Sequence, residues 1–312
     1  MPKNEICLYI SLFFCIYSNM KKHLIITFIL SFFIFYLFIN SKEAYLITNE
    51  NINLFLNTLL PNLFPYMLLV LLFISFNCHL ILAYLVQYIS IPLFNISGKA
   101  FSILLIGIIG GYPLLAILAK EIINKDNEKE LNKLVPLFSF PSLAFLNNII
   151  KPNIGFNPIF SLLIISFLLL LIFKDKEKKE YLNYNSLKYS LKDNLSFNCF
   201  TNSIFKVLTN LGLIFSNLLF FSLFKVLLTF NNEKINYFAL SFFEFSKSSI
   251  YFSLNINNKI DYILLTYSLL FGGLSILMQI YTIYNGSLLS IKTYLKYRLY
   301  LIIIILLFIY IY

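Results

Sequence analysis

Two glycine doublets lie inside apolar runs long enough to enter a bilayer, and any chemistry in this chain starts from them. Gly110-Gly111 belong to the stretch Gly107-Ile-Ile-Gly110-Gly111-Tyr112-Pro113, and Gly272-Gly273 are followed by Leu274-Ser275. Glycine adopts dihedrals that other residues avoid. Proline is disfavoured inside a helix but welcome in its first turn. A helix that ends near Ile109 and restarts at Pro113 leaves free N–H groups and a positive dipole end at the restart, which suit an anion. Freed backbone survives in lipid only against protein or a water-filled cavity, and transporters place it at their substrate sites. The alternative for each doublet is a continuous, kinked helix whose glycines let neighbours pack closely.

Side chains near these points extend the argument. Glu244 and Lys247 fall within Ile235–Leu254, a run otherwise rich in Phe, Tyr and Ser. Three residues apart, they share a helix face. Charge at membrane depth is costly and turns toward a cavity; otherwise the run is an interfacial helix facing headgroups. Gln279 follows the second doublet, and its buried amide needs either a substrate or a neighbouring helix. Ser139-Phe140-Pro141-Ser142 interrupt Leu134–Ile150, as a second discontinuity or as a proline kink. Enzyme chemistry finds little: His23 and His79 are the only histidines. No H-E-x-x-H, G-x-S-x-G or paired-carboxylate arrangement occurs. The four cysteines, Cys7, Cys15, Cys78 and Cys199, form no C-x-x-C and have no nearby His, so they read as apolar filler. The expectation is no catalytic residue, no metal and no cofactor.

The elements that must position these residues belong to a membrane protein. The chain is 59% hydrophobic, with a mean hydropathy of +0.81 and 12% charged residues. That is about half the charge of a soluble domain, so the surface must face lipid. We expect an all-α polytopic integral membrane protein of about 8–10 apolar segments, not all full spans, with a two-fold internal repeat and broken or re-entrant helices. The net charge of +10 resides in loop lysines and is no nucleic-acid footprint; such lysines set orientation. Residues 1–52 form an N-terminal extension and first anchor, 53–173 a first half, 174–194 a Lys-rich cytoplasmic loop and 195–312 a second half. Within the extension, Ile6–Tyr17 is too short to span. Met20-Lys21-Lys22 before Leu24–Ile39 read as a start with an orienting signal, which makes residues 1–19 an upstream extension; the alternative is that residues 1–19 are a real N-terminal interfacial segment. Lys174, Lys176, Lys178, Lys179, Lys188 and Lys192 mark one cytoplasmic loop; Lys292, Lys296 and Arg298 mark another. Three apolar segments lie between the two loops, so both are cytoplasmic only if one segment is re-entrant. The candidates are the glycine-broken run and Ile235–Leu254. Asn62-Leu-Phe-Pro-Tyr66 precedes the first doublet and Asn210-Leu-Gly-Leu-Ile214 the second. An internal repeat would therefore pair the doublets, 162 residues apart (272 − 110); chance likeness in a Leu/Phe/Ile-rich chain is the alternative.

Four stretches carry a family resemblance: Leu60-Pro-Asn-Leu-Phe-Pro65, Gly110-Gly-Tyr-Pro113 with Ala116 and Lys120-Glu121, Phe243-Glu-Phe-Ser246, and Phe271-Gly-Gly-Leu-Ser275 with Gln279. In order and spacing they resemble the YlbJ-type sporulation integral membrane proteins, which carry a nucleoside-recognition or Gate-type domain, over roughly residues 53–298. The chain departs from that pattern where members usually carry Asn-Asn-Pro-Ser, because Ser139-Phe140 precede Pro141-Ser142 here. The resemblance implies endospore formation and the mother-cell membrane around the forespore. It implies dipicolinic acid as substrate, with inverted repeats and re-entrant hairpins. The expected reading is a transporter of a small anionic metabolite in a lipid bilayer, with a homo-oligomer compatible. Its substrate contacts are Gly110, Gly111, Tyr112, Pro113, Ser142, Glu244, Lys247, Gly272, Gly273, Ser275 and Gln279. The alternatives are a membrane scaffold for spore-envelope proteins and a nucleoside or nucleobase carrier.

Overall fold

Long Leu/Ile/Phe runs with few breakers dictate helices, and the computed structural model contains helices throughout. It describes residues 23–154, 159–174, 179–191, 197–228 and 230–311, among which no strand occurs. The Ile6–Tyr17 stretch, Cys7, Cys15, Met20, Lys21, Lys22, Lys176, Lys178 and Lys192 lie outside the described residues. The chain forms two compact units, Met1–Asn49 and Glu50–Tyr312. The first contains α1 (His23–Ile39), whose Leu, Ile and Phe side chains are largely exposed. The helices that follow are α2 (Ser41–Leu54), α3 (Leu60–Ser75), α4 (Cys78–Phe94), α5 (Gly98–Gly110), α6 (Leu114–Ile122), α7 (Glu128–Phe138), α8 (Leu143–Phe145), α9 (Lys151–Ile154) and α10 (Ile159–Ile172). Then come α11 (Tyr184–Ser190), α12 (Phe197–Ser222), α13 (Glu233–Ser241), α14 (Ser246–Leu254), α15 (Lys259–Phe271), α16 (Gly273–Tyr284) and α17 (Ile291–Ile311). Among the described residues, four runs are long and apolar enough to cross a bilayer: Ser41–Ser75, Glu128–Ile154, Phe197–Leu227 and Lys259–Tyr284. The protein is a multi-pass α-helical membrane protein.

The apolar run around the first doublet does not cross. α5 and α6 fold back on each other as a hairpin with its tip at Gly111–Pro113. A Cβ on Gly107 in α5 would lie 3.1 Å from Leu115 Cα in α6. The hairpin base is pinned by Glu130, in the first turn of α7. Its Oε2 accepts from Ser97 Oγ (2.6 Å) and Ser97 N (3.2 Å), and its Oε1 pairs with Lys179 at 2.6 Å. α13 and α14 form a second hairpin with its tip at Phe242–Phe245, and Tyr237 and Tyr251 stack across it at 4.0 Å. This base too is pinned by a carboxylate in the first turn of the next helix: Asp261 of α15 pairs with Lys234 and accepts from Asn257 N (3.1 Å). Each hairpin is followed by a broken crossing helix. α7 is interrupted at Ser139–Ser142 before α8, and α15 at Gly272 before α16.

This architecture is an internal repeat, in a register different from the one the glycines suggest. The starts of α7 and α15 differ by 131 residues (259 − 128), and those of α6 and α14 by 132 (246 − 114). Pairing the doublets across 162 residues is therefore corrected. Gly110-Gly111 form a hairpin tip, whereas Gly272-Gly273 break a crossing helix. Their structural counterparts are the Phe242–Phe245 tip and the Ser139–Ser142 break, neither of which contains glycine.

The two hairpins enter from opposite ends of the bundle. Lys174 Nζ donates to Pro92 O (3.1 Å), and Leu182 N to Gln87 Oε1 (2.6 Å). Asn132 Oδ1 accepts from Ser290 N (2.7 Å), and Lys120 Nζ donates to Asn285 O (3.2 Å). With the Glu130 contacts, these bonds gather the Lys-rich loop, the α5–α6 base and the α16–α17 turn at one end. By the positive-inside tendency that end is the one expected to be cytoplasmic. α9 and the far end of α14 meet at the other, where Asn153 Nδ2 donates to Ser253 Oγ (2.8 Å). Of the three segments between the two lysine-marked loops, α13–α14 is the re-entrant one. α4 has both ends at the cytoplasmic face and a 100° bend into α5, so it lies along that face.

Candidate functional site

At the first tip, Gly111 has φ +69° and a Cβ there would meet Ser142 N at 2.2 Å and Pro141 C at 2.6 Å. Only glycine lets the tip press its backbone onto the break of α7. Tyr112 N then donates to Phe140 O at 2.7 Å. The loose ends of the break are capped. Ser139 Oγ donates to Val135 O (2.6 Å), Phe145 N donates to Ser142 Oγ (3.2 Å), and Arg298 Nη1 donates to Pro136 O (3.1 Å). The buried Arg298 guanidinium also lies 5.7 Å from the centres of both the Tyr112 and the Phe140 rings, the geometry of a cation–π contact.

The second half repeats the device with the glycines on the partner element. Leu274 N donates to Phe242 O (2.8 Å) and Ser275 N to Phe243 O (3.0 Å), joining the start of α16 to the second tip. Gly272 and Gly273 have φ +75° and +74°, and a Cβ on Gly273 would meet Phe243 O at 2.8 Å. The buried Glu244 turns back on its own helix. Its Oε1 accepts from Ser246 N (2.7 Å) and its Oε2 from Lys247 N (3.1 Å). The two tips meet each other: the Tyr112 and Phe245 rings pack edge to face at 5.4 Å, and Tyr112 Oη donates to Leu269 O at 2.6 Å.

At α8, α14 and α16 these bonds correct the expectation of free amides at the restarts; at the Pro113 restart, Tyr112 N is taken by Phe140 O and Leu115 N reaches Gly111 O at 3.3 Å. The first donors of α16 are taken by carbonyls of the second tip, those of α14 by Glu244, and that of α8 by Ser142. Buried N–H groups find partners within the chain wherever geometry allows, and the close backbone approach made possible by glycine supplies them. What is left for a guest is side-chain chemistry. A cavity of about 40 Å³ lies where tips and breaks converge, lined by Tyr112, Ser142, Glu244, Ser275 and Gln279 of the expected set. Asn62, Ser246, Phe145 and Phe245 complete its polar and aromatic wall. Gln279 Oε1 is buried there with no hydrogen-bond partner. At roughly 10–15 Å³ for each water, the space holds about three waters, well below the several hundred Å³ of an open ligand pocket.

The structure does not bring all expected contacts into the cavity. Gly110, Gly111, Pro113, Gly272 and Gly273 shape the tip and the break instead of lining the space. Lys247 points away, its Nζ bound to Glu50 Oε2 at 2.8 Å. Two residues were not singled out by sequence reasoning as site groups. Asn62 lines the cavity and accepts from Asn148 Nδ2 (2.9 Å). Arg298 read as a loop charge, yet it is the only arginine among 24 Lys and Arg. That was its signal, since a planar guanidinium stacks on rings and caps carbonyls where lysine does not. Among the described residues, no group of three or more His, Cys, Asp or Glu is placed to hold a metal ion. No protein-family model, curated protein or solved structure matches the chain.

Proposed function

We propose that this protein is a secondary transporter for a small anionic metabolite, with dipicolinic acid, as the YlbJ-type resemblance implies, its substrate during sporulation. One observation carries the reading. Two re-entrant hairpins from opposite ends meet two broken helices around a small, mostly apolar cavity into which Ser142, Glu244, Ser275 and Gln279 bring polar groups, and that inverted arrangement is the one alternating access about a central site uses. Tyr112, Phe145 and Phe245 offer ring faces and edges to a flat guest. Gln279 offers an unpaired amide oxygen, which accepts from a protonated carboxyl or a ring N–H. Glu244 repels an anion while ionised, so the anion travels with a proton or a cation on Glu244. The small cavity makes this conformation the occluded one, and loading requires the halves to move apart.

The test is uptake by purified protein in vesicles, offered dipicolinate and uridine side by side. Dipicolinate uptake that rises as external pH falls supports the reading. Uridine uptake alone moves the assignment to a nucleoside carrier, and no uptake of either leaves a scaffold. Spore dipicolinate content in a strain lacking the gene, with no paralogue present, must fall; normal content refutes the assignment.

A further inference from the structure

A second cavity stands at the cytoplasmic end of the same helix pair that walls the first. It is lined by Leu71, Ile74 and Ser75 of α3, His79 of α4, Glu121 of α6, and Cys199, Asn202 and Lys206 of α12, and measures about 620 Å³. Lys206 and Glu121 pair across it at 2.7 Å. α3 and α12 run antiparallel in a register that two contacts define. Ser75 Oγ and Ser203 Oγ lie 2.9 Å apart at the cytoplasmic end. At the other end Leu59 and Leu63 share the occluded cavity with Ile214 and Leu218. In that register Met67 and Leu71 stand opposite Leu211 and Val207. All four are under 5% exposed, and they occupy the length of seam between the two cavities.

We propose that the α3–α12 seam is the cytoplasmic access route to the occluded cavity. The larger space is its aqueous vestibule, which receives a small polar anion, and Met67, Leu71, Val207 and Leu211 form a closed apolar gate. The inference rests on the transporter reading and adds the route. A polar solute cannot wet four packed aliphatic side chains, and apolar constrictions close pathways in this way. The vestibule has the opposite character. Lys206, Glu121, Asn202 and His79 give a hydrated solute hydrogen-bonding groups down to the level of Leu71, and Lys206 exchanges its carboxylate partner for an arriving anion. Opening needs the seam to part by the width of the guest, a sliding of packed helices that leaves the tip-to-break bonds in place.

Two variants in a background with all four native cysteines changed to serine test the route. The first is Met67→Cys, probed in vesicles from the cytoplasmic face with an impermeant, negatively charged thiol reagent. It should react slowly alone and at least fivefold faster or slower when dipicolinate is present, as the gate population shifts. The second is the double variant Ser75→Cys/Ser203→Cys. Its oxidised, cross-linked form should lose at least tenfold in uptake and recover on reduction. Full uptake by the cross-linked form, or a Met67→Cys that stays unreactive while uptake proceeds, places the route elsewhere and leaves the transporter reading standing. Absence of uptake in the cysteine-free parent, with Met67→Cys reached from the cytoplasmic face, keeps the water route and removes the transporter reading. Absence of both removes both.

Discussion

Replacing Gly111 with alanine should damage this protein far more than the same change at Gly286 or Gly212, and the structure sets the order. Gly286 has φ +71° and nothing within 4 Å of a built Cβ. Gly286→Ala therefore incurs only the left-handed backbone penalty, about 1–2 kcal/mol. Gly111 has the same kind of dihedral, but its Cβ would fall 2.2 Å from Ser142 N, a backbone atom that cannot rotate away. Overpacking adds about 1–3 kcal/mol. Pushing the tip back lengthens the bond from Tyr112 N to Phe140 O, for about 1 kcal/mol more. The total for Gly111→Ala is about 3–6 kcal/mol. Gly212, inside α12 with open space around it, is the control: alanine there gains up to about 1 kcal/mol of helix propensity. At roughly 2 °C per kcal/mol for a unit of this size, thermal midpoints in detergent should fall about 6–12 °C for Gly111→Ala and about 2–4 °C for Gly286→Ala. The midpoint of Gly212→Ala should hold or rise. All must be scanned at one rate, because membrane proteins unfold irreversibly. A Gly111→Ala midpoint no lower than that of Gly286→Ala refutes the close tip-to-break contact.

Three further outcomes follow from single contacts. Tyr112→Phe keeps the ring against Phe245 and removes only the bond to Leu269 O, so stability should fall about 1–2 kcal/mol with uptake reduced and not abolished; an unchanged midpoint contradicts that bond. Glu244→Gln retains shape but loses one acceptor for the Ser246 and Lys247 amides, about 0.5–2 kcal/mol as a helix cap. Its uptake should lose the rise at low pH, and a variant with the parental pH profile excludes Glu244 as the proton carrier. Arg298→Lys keeps the charge but not the planar stack on Tyr112 and Phe140. A loss of about 1–2 kcal/mol is expected, read by thermal midpoint, and a neutral result contradicts the role drawn for the lone arginine.

Much of this was legible in the sequence, and the limits have physical causes. The helical, multi-pass class follows from hydropathy alone, because no other surface suits so few charges. The break at Gly110–Pro113 was legible because glycine and proline are the residues whose backbone preferences leave a written trace. Hairpin and crossing were not distinguishable at that break: a re-entrant helix and half of a spanning helix bury the same kinds of side chain. Only the contact of Gly107 with Leu115 decides it. The repeat was misregistered for the same reason. At the second tip Phe242–Phe245 turn the chain without glycine, because the glycines that allow close approach there sit on the opposing element at Gly272-Gly273. Lys247 was drawn to the site by its spacing from Glu244, but a long side chain reaches whichever carboxylate lies beside it, and Glu50 is nearly two hundred residues away in sequence. At α16 the free amides were lost to the pairing of tip and break, an interaction between segments that no local pattern encodes, while at α8 and α14 the neighbouring side chains of Ser142 and Glu244 take them.

The account stands on two hairpins that enter the membrane from opposite sides and meet at their tips. Single cysteines at Ser97 and Lys125 bracket α5–α6, and single cysteines at Asn232 and Asn257 bracket α13–α14, all in the cysteine-free background. An impermeant thiol reagent applied to each face of oriented vesicles should label the first two from the lysine-rich side only and the last two from the other side only. Labelling of Ser97 and Lys125 from different faces, or of Asn232 and Asn257 from different faces, would make that segment a crossing helix and contradict the architecture from which the site and its function are drawn.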